Sequence, residues 1–350
     1  MYKNIIVRMP NWLGDAVMAT PILTDLRLFY PDAKITAMCQ GSVGQLLTHD
    51  PHLNEIFTFK RVSGWIHHLT HKRLTDPLKQ GDYDLGILLP NSFSSACWFW
   101  RAGVEERIGF PGHWRRLLLT RAVPLPKEIE TQHLVDTYKN LLEPLGIARS
   151  DTSPTLYVTP QEQRHAREQL RNEGLEPACS IIGINPGAAY GSAKCWLPER
   201  FREVALKLLE QPNRYIVFFG DPTTFSLVHQ ICEGLPSRVI NLAGKTNLRQ
   251  LLALIQCCDV FLTNDSGPMH IAAAFQIPLL ALFGSTSDAK TGPYAFGKVI
   301  HKHVECSPCY KRVCDRDFRC MKRITSQEVY EEIEHLLDHS CGGTGDAPRF

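Results

Sequence analysis

Lys3-Asn4-Ile5-Ile6-Val7-Arg8-Met9-Pro10-Asn11-Trp12-Leu13-Gly14-Asp15-Ala16 opens the chain and decides how the rest is read. Residues 3–7 form a short apolar run after a charged start, which predicts a buried parallel strand. Pro10 and Gly14 then make a loop, and a helix follows over about residues 16–29, closed by Pro31. Residues 34–39 and 85–89 predict further strands, the latter stopped by Pro90-Asn91-Ser92. Strands alternating with helices imply βαβ units and a parallel sheet. In such a sheet the loop from the first strand to the first helix points into the ligand crevice.

The pattern restarts in the second half. Residues 180–185 read as a strand stopped by Pro186-Gly187, and residues 198–210 as an amphipathic helix. Residues 215–219, 239–241, 260–262 and 278–283 predict strands, with helices over about 224–233, 248–257 and 269–275 between them. Residues 142–160 carry Pro144, Gly146, Pro154 and Pro160, and read as the linker. The expected organisation is therefore α/β in two doubly wound domains, residues 1–155 and 156–338. A last helix covers residues 326–338, and residues 339–350 are expected to be a disordered tail.

Composition narrows the function. With 350 residues, 44% hydrophobic and 21% charged, the chain is an ordinary globular sequence. A formal net charge of +2 argues against a nucleic-acid partner. No apolar run approaches the roughly 18–20 residues of a spanning helix, and none at the start suits a signal peptide. The expectation is a cytoplasmic protein with no transmembrane segment.

Four segments carry candidate chemistry. Asp15 stands at the predicted helix start, where a carboxylate is favoured. It reads equally as a helix cap or as a general base, for which one well-placed ionised carboxylate suffices. Gly187-Ala188-Ala189-Tyr190-Gly191-Ser192-Ala193-Lys194 is a small-residue turn whose backbone N–H groups could approach a phosphate, with Lys194 adding charge. It is neither a dinucleotide fingerprint nor a P-loop: no G-x-G-x-x-G occurs, and Val239 stands where Gly244-Lys245-Thr246 would need its glycine. Asn264-Asp265-Ser266-Gly267-Pro268-Met269-His270 opens another predicted helix, with Asp265 and Ser266 as caps and a second set of N–H groups for a phosphate. His270 reads as a site residue or a packing histidine. The basic runs around Lys60, Arg61, Lys72 and Arg73, and at Arg115, Arg116 and Arg121, read as solvated faces or as docking charges for a polyanion.

Twelve cysteines are scattered along the chain, which does not suit a small disulfide framework. Cys306, Cys309, Cys314 and Cys320 are spaced C-x2-C-x4-C-x5-C. They are candidate ligands of a structural zinc, with free thiols or redox pairing as the alternatives.

Together these segments resemble the lipopolysaccharide heptosyltransferases, glycosyltransferase family 9. Residues 9–21 (Met-Pro-Asn-Trp-Leu-Gly-Asp-Ala-Val-Met-Ala-Thr-Pro), 185–196 and 263–270 running on to Ala281-Leu282-Phe283-Gly284-Ser285 carry the resemblance in consistent order. Leu89-Pro90-Asn91-Ser92-Phe93 is similar to the heptosyltransferase II branch rather than the I branch.

The resemblance implies a GT-B fold, two Rossmann-like domains facing across a cleft. Its donor would be ADP-L-glycero-β-D-manno-heptose, and its acceptor the first heptose of the inner core carried on lipid A at the inner membrane surface. The reaction would invert the anomeric centre, with Asp15 as catalytic base and no cofactor or metal needed for the chemistry. Lys194, Asp265, Ser266, Gly267 and His270, with Gly187, Gly191 and Ser192, become donor-binding candidates. Asn11, Asn91, Ser92, Lys60, Arg61, Arg115 and Arg116 become acceptor-binding candidates. Alternatives are heptosyltransferase I action on Kdo, a non-catalytic sugar-nucleotide-binding module, and, disfavoured by the absent fingerprint, a nucleotide-dependent oxidoreductase.

Overall fold

The computed structural model describes residues 2–60 and 72–341. Its contacts divide the chain into two compact units, meeting between Tyr157 and Val158. Each unit holds one six-stranded, all-parallel sheet.

In the first unit the strands are β1 (Asn4–Arg8), β2 (Lys34–Gln40), β3 (Glu55–Phe59), β4 (Leu85–Leu88), β5 (Glu106–Gly109) and β6 (Arg121–Ala122), in spatial order β3-β2-β1-β4-β5-β6. In the second they are β7 (Ser180–Asn185), β8 (Arg214–Phe218), β9 (Val239–Asn241), β10 (Val260–Asn264), β11 (Leu279–Phe283) and β12 (Lys298–His301), in order β12-β11-β10-β7-β8-β9. Read from the other edge, the second order repeats the first. Both are doubly wound sheets of Rossmann type. The chain leaves the first strand of each unit to one side and returns on the other, so a crevice opens at the carboxyl ends of β1 and β4, and of β7 and β10.

The central strands are legible because both faces are covered. β10 and β11 are buried at every position, and β1 and β7 at all but the first. The sequence reading missed β3, β5, β6 and β12. They are short, partly exposed and charged at one or both ends, so no apolar run announces them.

Three expectations change. The single helix over 16–29 is two, Leu13–Met18 and Thr20–Phe29, with Pro21 at the start of the second. Proline lacks the N–H that would continue the first. Pro160 does not end a linker but opens helix Pro160–Asn172, with Thr159 as N-cap and Glu162 completing a capping box. The last helix, Ser326–Cys341, runs into the expected tail; residues 342–350 lie outside the described residues. Residues 150–155 belong to the first unit because Ser150 and Thr152 hydroxyls donate to Asp25, and Lys139 Nζ donates to their carbonyls.

Glu162 also ties its helix to Leu248–Gln256, accepting from Arg249 Nε and Nη2 at 2.7 Å each. That pairing outweighs burial and holds the Glu162 carboxyl down at about 2. A carboxyl depressed on folding stabilises above its unfolded value of about 4.3 and loses that contribution as pH falls towards the folded value. Glu162→Gln should therefore lower stability at neutral pH by about 1 kcal/mol, the scale of a well-formed, partly exposed pair. Denaturant melts should show that gap closing between the unfolded value and about 2. A gap independent of pH would refute the pairing's role.

Candidate active site

The crevice of the second unit gathers most of the donor candidates. Asn185 ends β7 and Asn264 ends β10. Asn264 accepts from the Trp196 N–H at 2.9 Å and donates to the Pro186 carbonyl at 2.6 Å. Asn185 Nδ2 donates to the Gly187 carbonyl at 3.0 Å and to Ser266 Oγ at 3.2 Å. Two buried amides thus stitch the loop after β7 to the loop after β10. Both asparagines lie in segments that carry the family resemblance, but neither is among the site residues expected from the sequence. A polar residue closing a fully apolar strand is the signal that marks Asn185.

Across this stitch Lys194 Nζ meets Asp265 Oδ2 at 2.5 Å, with side chains 15% and 5% exposed. Thr286 Oγ1, on the loop after β11, donates to the same oxygen at 2.6 Å. The sequence reading missed Thr286. Lys194 also lies over the Tyr190 ring, as does Arg312, at 5.1 and 5.3 Å from its centroid. Two cations therefore converge on one ring beside the loop.

The predicted caps behave differently from expectation. Ser266 occupies the N-cap position of Gly267–Ala274, but its side chain makes no capping bond. It turns back to Thr263 Oγ1 at 3.0 Å and Asn185. The side chain thus leaves the helix start uncovered; Pro268 has no N–H and the Met269 N–H donates to the Ser266 carbonyl at 3.2 Å, so what the turn offers a phosphate is the Gly267 N–H. The turn over 187–194 contains only a three-residue 3-10 turn, Ser192–Lys194; the long helix Pro198–Leu208 starts later. So the loop offers backbone and charge, not a helix terminus as expected. His270 is buried one turn into its helix, at 5% exposure.

Gly191 seats this loop against the cysteine-bearing segment. The Ala193 N–H donates to the Arg312 carbonyl at 3.0 Å, and Tyr190 Oη to the Tyr310 carbonyl at 2.8 Å. A Cβ at Gly191 would stand 2.3 Å from the Arg312 oxygen. Gly191→Ala should therefore push the two segments apart and cost about 1–3 kcal/mol of stability, the scale of overpacking. Thermal unfolding checks this; a parental melting temperature would mean the contact does not hold the loop.

Cys306, Cys309, Cys314 and Cys320 line one cavity of about 130 Å³. The other three thiols help burial raise the Cys320 thiol above its ordinary value. Among the described residues no three of these sulfurs come within 4.8 Å of one another. A different group, Asp288, His301 and His303, does bring its ligand atoms that close. His301 there is held by Asp288 at 2.9 Å and Ser307 Oγ at 2.7 Å.

The first unit's crevice holds Asp15, Asn11, Asn91 and Ser92. Trp12, not Asp15, is the N-cap of Leu13–Met18, and Asp15 sits within the first turn. The cap reading of Asp15 is thereby removed. Its charge stands close enough to Tyr138 to add to burial in pushing that phenol well above its ordinary value. Ser92 caps helix Phe93–Arg101 by accepting from the Ser95 N–H. Lys60 is exposed just past β3 and Arg116 is exposed in the 3-10 turn His113–Leu118. Arg115, expected on a solvated face or as an acceptor-docking charge, is 1% exposed and donates to Asn91 Oδ1 at 3.1 Å. Arg61 lies outside the described residues.

Comparison with known proteins agrees with this architecture. The family described as Glycosyltransferase family 9 (heptosyltransferase) matches residues 71–318. Lipopolysaccharide heptosyltransferase 2 of Escherichia coli K12 is 31% identical, over 95% of this chain and 98% of the relative. The solved E. coli ADP-heptose LPS heptosyltransferase II superposes with a TM-score of 0.81 at 30% identity, covering 96% of this chain and 99% of that one. A family 9 glycosyltransferase from Veillonella parvula gives 0.85 at 26% identity, covering 97% and 98%. The pair of Rossmann-like units is the GT-B fold. Among the described residues no helix is long and apolar enough to cross a membrane.

Proposed function

Because the chain belongs to glycosyltransferase family 9, the heptosyltransferases, we propose that it moves L-glycero-D-manno-heptose from ADP-heptose to the first heptose of the lipopolysaccharide inner core. The observation that carries the reading is the second unit's crevice. There Lys194, paired with Asp265, stands beside a helix start that Ser266 leaves uncapped. Cationic charge and the Gly267 N–H at a doubly wound switch point suit a nucleoside diphosphate.

In this reading Asp15 takes the proton of the acceptor hydroxyl as its oxygen bonds to the anomeric carbon. The bond from that carbon to the ADP oxygen breaks on the opposite face, inverting the centre. Negative charge grows on the departing diphosphate, where Lys194 and the Gly267 N–H at the helix start stabilise it. His270, Gly187, Gly191 and Ser192 shape the donor side; Asn11, Asn91, Lys60 and Arg116 the acceptor side. The chemistry draws on no metal. A structural zinc at the four thiols would have to pull the sulfurs together, since zinc–sulfur bonds are about 2.3 Å. The enzyme works in the cytoplasm against acceptors at the inner membrane surface.

The test is transfer from ADP-heptose to purified inner-core acceptors with and without the first heptose. Product only from the heptose-bearing acceptor is expected. Product only from the heptose-free one would reassign the chain to Kdo as acceptor. ADP-heptose binding without product on either would make it a binding module.

A further inference from the structure

The first unit buries two arginines that the proposed chemistry leaves unused. Arg8 ends β1 and is 2% exposed; Arg115 is 1% exposed. A buried guanidinium is normally paired, because removing it from water costs several kcal/mol. Among the described residues neither forms an ion pair with a carboxylate, and each leaves its Nε without a partner. Burial draws both down to about 10; for Arg8 only Cys39 opposes it, and that thiol is itself pushed up to about 12. These are charges taken from water without a counter-ion.

Both adjoin the seam between β1 and β4, the Arg8 guanidinium turning to the Met38 carbonyl and the Phe59 ring, 4.7 Å from its centroid. Arg8 is the Cα partner of Leu88 in the β1–β4 ladder, and Arg115 Nη2 reaches the Leu88 carbonyl at 3.4 Å. Gly109 makes the room: a Cβ there would be 2.7 Å from Arg115 Nη2. Each guanidinium also holds one asparagine. Arg8 Nη2 donates to Asn11 Oδ1 at 2.6 Å, and Arg115 Nη1 to Asn91 Oδ1 at 3.1 Å. A guanidinium has donors only, so it fixes which end of the amide faces it. The Nδ2 ends therefore face away, and both asparagines are exposed.

We propose that Arg8 and Arg115 are positioning residues of an oxyanion subsite, aiming the Asn11 and Asn91 amide N–H groups at a carboxylate or phosphate carried by the acceptor. The proposal rests on the reading of the first unit as the acceptor-binding one. Four N–H bonds on two amides match the oxygens of such a group. The two uncompensated charges behind them add an attraction that low-dielectric surroundings preserve. A neutral sugar hydroxyl would leave both charges without purpose.

The experiment is steady-state transfer from ADP-heptose to three acceptors: the intact inner-core acceptor, one with its carboxylates methyl-esterified, and one with its phosphates removed. The parent should show KM raised about tenfold on one neutralised acceptor with kcat little changed, the mark of lost uniform binding. Which acceptor suffers identifies the group. The variant Asn11→Ala/Asn91→Ala should raise KM on the intact acceptor and lose the discrimination. Each substitution also takes an acceptor from a buried guanidinium, so the melting temperature should fall by several degrees; that loss alone would weaken transfer to all three acceptors alike and leave the discrimination in place. Gly109→Ala, which displaces Arg115 while keeping its charge, should move KM the same way. Equal KM on all three acceptors with the parent, or undiminished discrimination in the double asparagine variant, overturns the subsite. If the parent transfers to none of the three, the acceptor reading itself fails and the subsite falls with it.

Discussion

Asp15→Asn should cut turnover by about 10²–10⁴-fold, the range removed with a general base, while ADP binding stays within about a factor of two, since Asp15 and the donor residues belong to different units. Asparagine keeps the shape of the side chain but cannot accept a proton near neutrality. Asp15 lies in the first turn of Leu13–Met18 and outside its N-cap position, where its charge faces the helix dipole. That dipole contact is worth about 0.3–1 kcal/mol, so the variant should melt only slightly below the parent. The decisive measurement is the pH–rate profile of kcat. Its acidic limb, which reports the base, should vanish in the variant. A variant turning over at the parental rate, with that limb intact, would remove Asp15 from the chemistry.

Lys194→Ala should cause the largest loss of both donor affinity and stability. It leaves the Asp265 carboxylate, 5% exposed, with Thr286 as a neutral partner. Breaking a buried pair from one side costs about 3–5 kcal/mol, because the remaining charge stays buried and unpaired. Thermal unfolding should show this, and on the proposed donor site ADP affinity should fall by more than about tenfold, since a cation proposed to meet the diphosphate goes. The double variant Lys194→Met/Asp265→Asn separates the two effects. Removing both charges should restore much of the stability without restoring ADP binding. Recovery of both together would show that Lys194 acts on the fold alone.

Much of this molecule is legible from the chain itself. The buried runs at residues 4–8, 180–185 and 279–283 announce parallel strands because strands covered on both faces need no polar alternation. Proline and glycine after those runs mark the loops where Asp15 and Lys194 stand, and ordered motifs point to the family. These are local properties: hydrophobic period, turn chemistry and spacing lie along the sequence.

What the tertiary structure alone decided is which distant residues meet. Lys194 and Asp265 are 71 residues apart, and they pair because β7 and β10 are neighbours in the sheet. Arg8 reads as an ordinary charge at a strand end and Arg115 as part of a solvated run. Only the β1–β4 ladder and the space at Gly109 bury both guanidinium groups beside Asn11 and Asn91. Likewise Asp15 reads as the N-cap residue until the helix is seen to start at Leu13, with Trp12 in that position. Strand order is a long-range choice made by packing the whole core, and no window of sequence contains it.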